Sequence, residues 1–187
     1  MTARLWLVRH ALPQVAPGIC YGAQDVAADS AATSEAADRL HALLPAAAQL
    51  VTSPRRRCTA LADALHARRG GAMPRVDARL AEMDFGRWEG RAWNAIAAAE
   101  LRAWTDDFAG YRAGGHGESA GAFMARVGAA FDESTGAAGD VAWITHAGVI
   151  RAAMLIAQGI RTLARADWWP MQAPPFGQHI VLELQRD

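Results

Sequence analysis

Leu5-Trp6-Leu7-Val8-Arg9-His10-Ala11 is the stretch from which the fold is read. Four consecutive apolar residues are too few for a membrane span and suit a strand buried on both faces of a parallel sheet. The run stops at a charged pair. Ligands of open α/β sheets bind beyond the carboxyl ends of the strands, so Arg9 and His10 are expected at the rim where chemistry is done. Alone, the pair reads more simply as a solvated strand end, and a functional meaning depends on its partners.

A second strand of the same design lies far along the chain. Asp140-Val141-Ala142-Trp143-Ile144-Thr145-His146-Ala147-Gly148 is again a buried strand ending in a histidine. It flows into a helix with Val149, Ile150, Ala153, Met154 and Ala157 inward and Gly159 as its stop. Between the two, Leu12 to Val26 holds Pro13, Pro17, Gly18 and Gly22 and reads as a long binding loop. Thr33 or Ser34 is expected to cap a helix through Leu44, followed by a strand over Gln49 to Thr52. Ser53-Pro54 reads as the cap and first residue of a helix running to Gly70-Gly71. Arg57 then stands one turn above Ser53, beside a helix N-terminus that favours an anion. Val76 belongs to a third strand. Leu80 to Gly90 reads as a structured loop carrying Glu82, Asp84 and Glu89 among aromatic anchors. Trp93 to Trp104 looks helical, Tyr111 to Ser119 is a glycine-rich loop, and Ser119 or Glu118 starts a helix with Phe123, Val127 and Phe131 inward. His179 to Leu184 is the last strand.

At 187 residues the chain is expected to be one domain, 1–187, burying about 70% of its unfolded surface. Nineteen basic and nineteen acidic residues cancel, so no global field draws nucleic acid or anionic lipid and any anion site must be local. Cys20 and Cys58 form no C-x-x-C, which suits a reducing cytoplasm and argues against a disulfide framework or zinc knuckle. The six histidines include no H-x-H or H-E-x-x-H spacing, so no metal or cofactor is expected. Met1-Thr2-Ala3-Arg4 precedes an apolar run too short for a signal-peptide core, and no run reaches the ~18 apolar residues of a membrane helix. A soluble cytoplasmic protein without membrane or nucleic-acid partners, monomeric or homodimeric, is expected. Most of the tryptophans read as core or loop anchors.

Leu7-Val8-Arg9-His10, Ser53-Pro54-x-x-Arg57, Glu82 within Glu-x-x-Phe-Gly-x-Trp-Glu-Gly, and Thr145-His146-Ala147-Gly148 resemble, in order, the signature blocks of the histidine phosphatase (phosphoglycerate mutase-like) superfamily. Pro17-Gly18-Ile19-Cys20-Tyr21-Gly22-x-x-Asp25-Val26 is similar to its α-ribazole phosphatase branch of cobalamin biosynthesis. The resemblance implies a three-layer α/β/α sandwich with a mostly parallel sheet containing one antiparallel strand. It implies hydrolysis of a small-molecule phosphate monoester through a phosphohistidine. His10 is then the nucleophile, Glu82 the general acid, and Arg9, Arg57 and His146 the donors to the phosphoryl oxygens; Tyr21, Gly22 and Ala147 join them in binding substrate.

The side chains suit that chemistry. Guanidinium forks match phosphate oxygens in pairs, and two of them beside His10 lower its pKa and keep it neutral. Asp84 and Glu89 compete with Glu82 on chemistry alone, and the motif selects Glu82, leaving Glu89 as a structural loop acid. Where the family has glycine and asparagine after the Arg-His pair, this chain has Ala11 and Ala16, so one donor is either missing or supplied by Gln14, Tyr21 or the Gly22 amide. Ser-Pro-Leu reads Ser53-Pro54-Arg55, and Leu61 stands where a threonine is usual. The alternatives are a broad-specificity phosphatase, a phosphoglycerate mutase, and a non-catalytic module that binds a phosphorylated ligand.

Overall fold

The structure, a computed structural model, describes residues 3–163 and 165–184; Met1, Thr2 and the C-terminal end of the expected 1–187 domain lie outside the described residues. The elements are β1 (Ala3–Arg9), α1 (Ser30–Leu43), β2 (Gln49–Thr52), α2 (Arg56–Arg69), β3 (Arg75–Val76), α3 (Ala98–Asp106), α4 (Ala120–Thr135), β4 (Val141–Thr145), α5 (Ala147–Ala157) and β5 (His179–Leu184). The sheet runs β3-β2-β4-β1-β5. All pairings are parallel except that of β5, which lies antiparallel on β1. This is the expected mixed three-layer fold.

Alternation along the strands splits the core in two. Leu5, Leu7, Val51, Val141 and Trp143 face the layer of α4 and α5, where they meet Phe123, Val127 and Ile150. Trp6, Val8, Leu50, Ala142 and Ile144 face the layer of α1 and α2, against Leu40, Leu61 and Leu65. A strand with both faces covered must be apolar throughout, which is why β1 and β4 show no polar alternation in sequence.

Adjacent strands send their helices to opposite faces. From β1 the chain passes to α1, and from β4 to α5, so a crevice opens between the two carboxyl ends. Register makes the crevice narrow. Arg9 pairs with Thr145, the His10 amide donates to the Thr145 carbonyl at 2.9 Å, and the Ser53 amide donates to the Ile144 carbonyl at 3.0 Å. Residues 10, 53 and 146 therefore leave three neighbouring strands at one level.

Several boundaries differ from expectation. The α1 helix begins at Ser30 with Asp29 as its cap, whose carboxylate accepts from the Ala32 amide. The α2 helix begins at Arg56, and Ser53 does not cap it. Its first amide is taken instead by the Asp25 carboxylate at 2.7 Å, an acceptor 31 residues upstream. Residues 93–104 divide into a short 3-10 turn, Trp93–Ala95, and the start of α3. Among the described residues no helix is long and apolar enough to cross a membrane.

Candidate active site

Arg9, His10, Ile19, Tyr21, Arg57, Glu82, Trp93, His146 and Ala147 surround a cavity of about 140 Å³ at the carboxyl ends of β1 and β4. Both strand-end histidines, both arginines and the motif glutamate thus meet there. Ser53, the other residue of that level, is fully buried behind His146.

Charge dominates this cavity. Arg57 is fully buried. Its Nη1 donates to the Gln24 carbonyl at 2.7 Å, its Nη2 to the Gly22 carbonyl at 2.8 Å and its Nε to His146 Nδ1 at 3.3 Å. Arg9 rests on the Phe176 ring, 3.8 Å from its centroid, and donates to the Pro174 carbonyl, while its buried Nε has no partner. Among the described residues neither arginine forms an ion pair. Burial pulls both guanidinium pKa values down. Two desolvated cations without carboxylate partners are costly unless an anion joins them. The first turn of α5, where Ala147 lines the cavity, adds the positive end of a helix dipole.

The same cations hold the imidazoles neutral. Burial first, then Arg57 and Arg9, bring the His10 pKa down to about 3. Its Nδ1 lies 2.7 Å from the Ala11 carbonyl, an acceptor only, so Nδ1 carries the proton and Nε2 keeps a free lone pair. This is the form of imidazole that attacks an electrophile. His146, edge-on to His10 at 5.2 Å, is pushed well below its ordinary pKa by burial and Arg57. Accepting from Arg57 at Nδ1 leaves its proton on Nε2, directed to Ser53 Oγ at 2.7 Å. The expected donor to an anion therefore points away from the cavity in this tautomer. Ser53, read from sequence as a helix cap, is its partner instead. Cys58 Sγ lies 3.5 Å from the same nitrogen, and burial pushes that thiol up to about 12.

Glu82 is half-buried at the opposite wall, with Oε2 on the Gly148 amide at 3.0 Å and Oε1 on its own neighbour's amide, Met83, at 3.1 Å. A methyl at position 148 would lie 2.2 Å from Glu82 Oε1, which is why glycine follows Ala147. Glu89 accepts from the amides of Gly22, Ala23, Gln24 and Phe85, the role of a structural loop acid. Asp84 closes a turn onto the Gly86 amide. The expected Gly22 donor is therefore spent on Glu89, and Gly22 instead holds Arg57 through its carbonyl. Gln14 is exposed and does not line the cavity; Tyr21 does, with Arg57 5.2 Å from its ring centroid. The glycine-rich loop Tyr111 to Ser119 packs on the Glu82 loop, the Glu118 amide donating to the Asp84 carbonyl at 2.8 Å. His41, His66, His116 and His179 lie elsewhere, and among the described residues no cluster of His, Cys, Asp or Glu is placed to hold a metal.

The family model described as histidine phosphatase superfamily (branch 1) matches residues 5–185. The chain belongs to the histidine phosphatase superfamily. Among solved structures, a mycobacterial glucosyl-3-phosphoglycerate phosphatase is 27% identical, with 84% of this chain and 80% of that one covered and a TM-score of 0.71. The same enzyme in complex with VO3 is 25% identical over 97% of this chain and 92% of that one, at a TM-score of 0.79. Protein TTHB049 of Thermus thermophilus is 29% identical over 98% and 95%, at a TM-score of 0.71. No curated protein matches. Family and neighbours together support a histidine phosphatase acting on a small-molecule phosphate.

Two outcomes are expected from this geometry. An unfolded histidine takes up a proton near pH 6.5, whereas folded His10 does so only near 3. The unfolded chain binds more protons between those values, so the stability gained is complete above pH 6.5 and is lost as pH falls. Imidazole 15N spectra at pH 5 should show His10 neutral and protonated at Nδ1; a cation at that pH would refute the tautomer. Gly148→Ala should expel Glu82 from its amide and lower kcat by ~10²-fold, the usual worth of a misplaced acid–base group, with thermal melting little changed.

Proposed function

We propose that the protein hydrolyses phosphate monoesters through a covalent phosphohistidine on His10, with Glu82 as proton donor to the leaving oxygen. The observation that carries this reading is the free Nε2 of a neutral imidazole lining one cavity with two guanidinium groups that, among the described residues, form no ion pair. A phosphate monoester brings the missing negative charge. Arg9 and Arg57 hold the non-bridging oxygens, and fixed donors stabilise the charge spread over them in the transition state. Attack by His10 Nε2 in line with the departing oxygen transfers the phosphoryl group, and the Glu82 carboxyl protonates that oxygen. As carboxylate, Glu82 then takes a proton from the water that attacks the phosphohistidine, which releases phosphate and restores both groups.

His146 needs the other tautomer to take part. A hydroxyl both donates and accepts, so Ser53 can turn its proton toward His146 Nε2 and leave Nδ1–H for the phosphoryl oxygen that displaces the Arg57 contact. Among specific substrates, the block Pro17 to Val26 supports α-ribazole 5′-phosphate, in a cytoplasmic cobalamin pathway. That block fixes Tyr21 beside Arg57 and caps α2 through Asp25.

His10→Ala should abolish 32P labelling of the protein and turnover while leaving the circular dichroism spectrum intact; turnover without His10 would remove it as nucleophile. Glu82→Gln should slow alkyl phosphates by ~10²-fold or more and p-nitrophenyl phosphate far less, since a good leaving group needs no proton. Equal losses on both would make Glu82 a positioning residue.

A further inference from the structure

Glu82 borders three openings. It lines the catalytic cavity, a cavity of about 280 Å³ walled by Phe85, Trp104, Phe108, Phe123 and Trp169, and a polar groove that it shares with Arg55, Asp84, Glu118 and Arg126. Trp104 and Trp169 thereby line a cavity instead of only anchoring loops. A carboxyl bordered by so much space is held little by close packing, so its position has to come from hydrogen bonds and from the main chain that carries it.

That main chain has no ladder of its own. It leaves a three-residue turn, Ala78–Leu80, in extended form at Ala81 and enters no helix or strand before Gly86. Side chains take its carbonyls instead. Arg126, on α4, donates from Nη1 to the Arg79 carbonyl at 2.6 Å and to the Ala81 carbonyl at 2.7 Å, and from Nη2 to the Glu82 carbonyl at 3.2 Å. The fully buried Thr145 donates its hydroxyl to the Leu80 carbonyl at 2.8 Å. Four successive carbonyls leading into Glu82 are therefore gripped by two side chains.

The grip is itself braced. Arg126 gives its Nε to Glu118 Oε1 at 2.7 Å and its Nη2 to Glu118 Oε2 at 2.8 Å, so all five guanidinium N–H groups are engaged. Its guanidinium carbon lies 4.6 Å from the Phe123 ring centroid, one turn back on the same helix. Glu118 balances the charge of Arg126. What Arg126 offers the acid loop is then the shape of a planar fork, which the point-like ammonium of a lysine, with three donors, does not reproduce. Thr145 sits at the end of β4 immediately before His146, so this anchor refers the loop to the strand end that carries the imidazole.

We propose that Arg126 and Thr145 are positioning residues for proton transfer by Glu82, holding its carboxyl at the leaving oxygen by fixing the carbonyls of residues 79–82. The inference rests on the phosphatase reading above, in which Glu82 is the proton donor. Such a donor works within about 2.6–3.2 Å of the atom it protonates, and a displacement of about 1 Å costs on the order of 10²-fold in rate. The role is therefore visible only where the leaving oxygen needs a proton.

The test compares ethyl phosphate with p-nitrophenyl phosphate in single and double variants, each assayed below its melting midpoint. Arg126→Lys, which keeps stem and charge and removes the fork, should lower kcat for ethyl phosphate by ~10-fold or more and for the aryl ester by about 2-fold or less, with both KM values nearly unchanged. In a Glu82→Gln background the same change should cost ethyl phosphate only about 2-fold, because no acid remains to be misplaced. Thr145→Val should repeat the selective loss, and Thr145→Ser, which keeps the hydroxyl, should retain the wild-type ratio of the two esters; this pair decides the matter if Arg126→Lys does not fold. Equal losses on both esters, no loss, or a loss undiminished in the Glu82→Gln background overturns the inference and leaves the phosphatase reading standing. Absence of turnover and of phosphoenzyme in the wild type, with p-nitrophenyl phosphate included, overturns both.

Discussion

A guanidinium sealed from solvent without a counter-ion is the constraint from which the rest of the site follows. Among the described residues Arg57 has no carboxylate to lean on, and its two outer nitrogens are tied to backbone carbonyls at positions 22 and 24. Those carbonyls turn inward only because their amides turn the other way, onto Glu89. Glu89 in turn takes the Phe85 amide, which locks the first loop to the one that carries Glu82. Gly22 is required at the crossing, where a methyl would stand 1.8 Å from the Met83 carbonyl. One buried charge thus dictates the path of two loops.

The electrostatics reward a neutral nucleophile. Burial, with Arg57 and Arg9 nearby, brings His10 far below the ordinary imidazole range, so the lone pair is present across the physiological range. The arrangement is unstable toward protons and stable toward phosphate, because a dianion relieves the guanidinium groups without needing a charged imidazole. Preorganisation of this kind places the cost in folding and removes it from the reaction.

The amino-acid sequence made much of this legible. Both strand-end histidines were visible because a strand covered on two faces must be apolar, and the apolar run makes its end conspicuous. Glu89 could be separated from Glu82 only through the family motif, since the two carboxylates are alike on chemistry. What stayed hidden was non-local. The cap of α2 comes from Asp25, far upstream, so Ser53-Pro54 presented a convincing local cap that the fold does not use. Ser53 is drawn instead to His146 by the adjacency of β2 and β4, which no local pattern reports. The aromatic residues of 85–108 read as anchors because anchoring and lining demand the same side chains; only the arrangement of the rings around an opening distinguishes them.

The hydrogen bond from the Gly148 amide to Glu82 ties the acid to the same helix start that follows His146. Two jaws of the reaction are therefore bolted to one beam. The carboxylate and the imidazole are thus referred to one helix start, which sets the gap between them. The spacing of acid and His146 is thereby written into one turn of backbone, independent of the aromatic side chains that surround it.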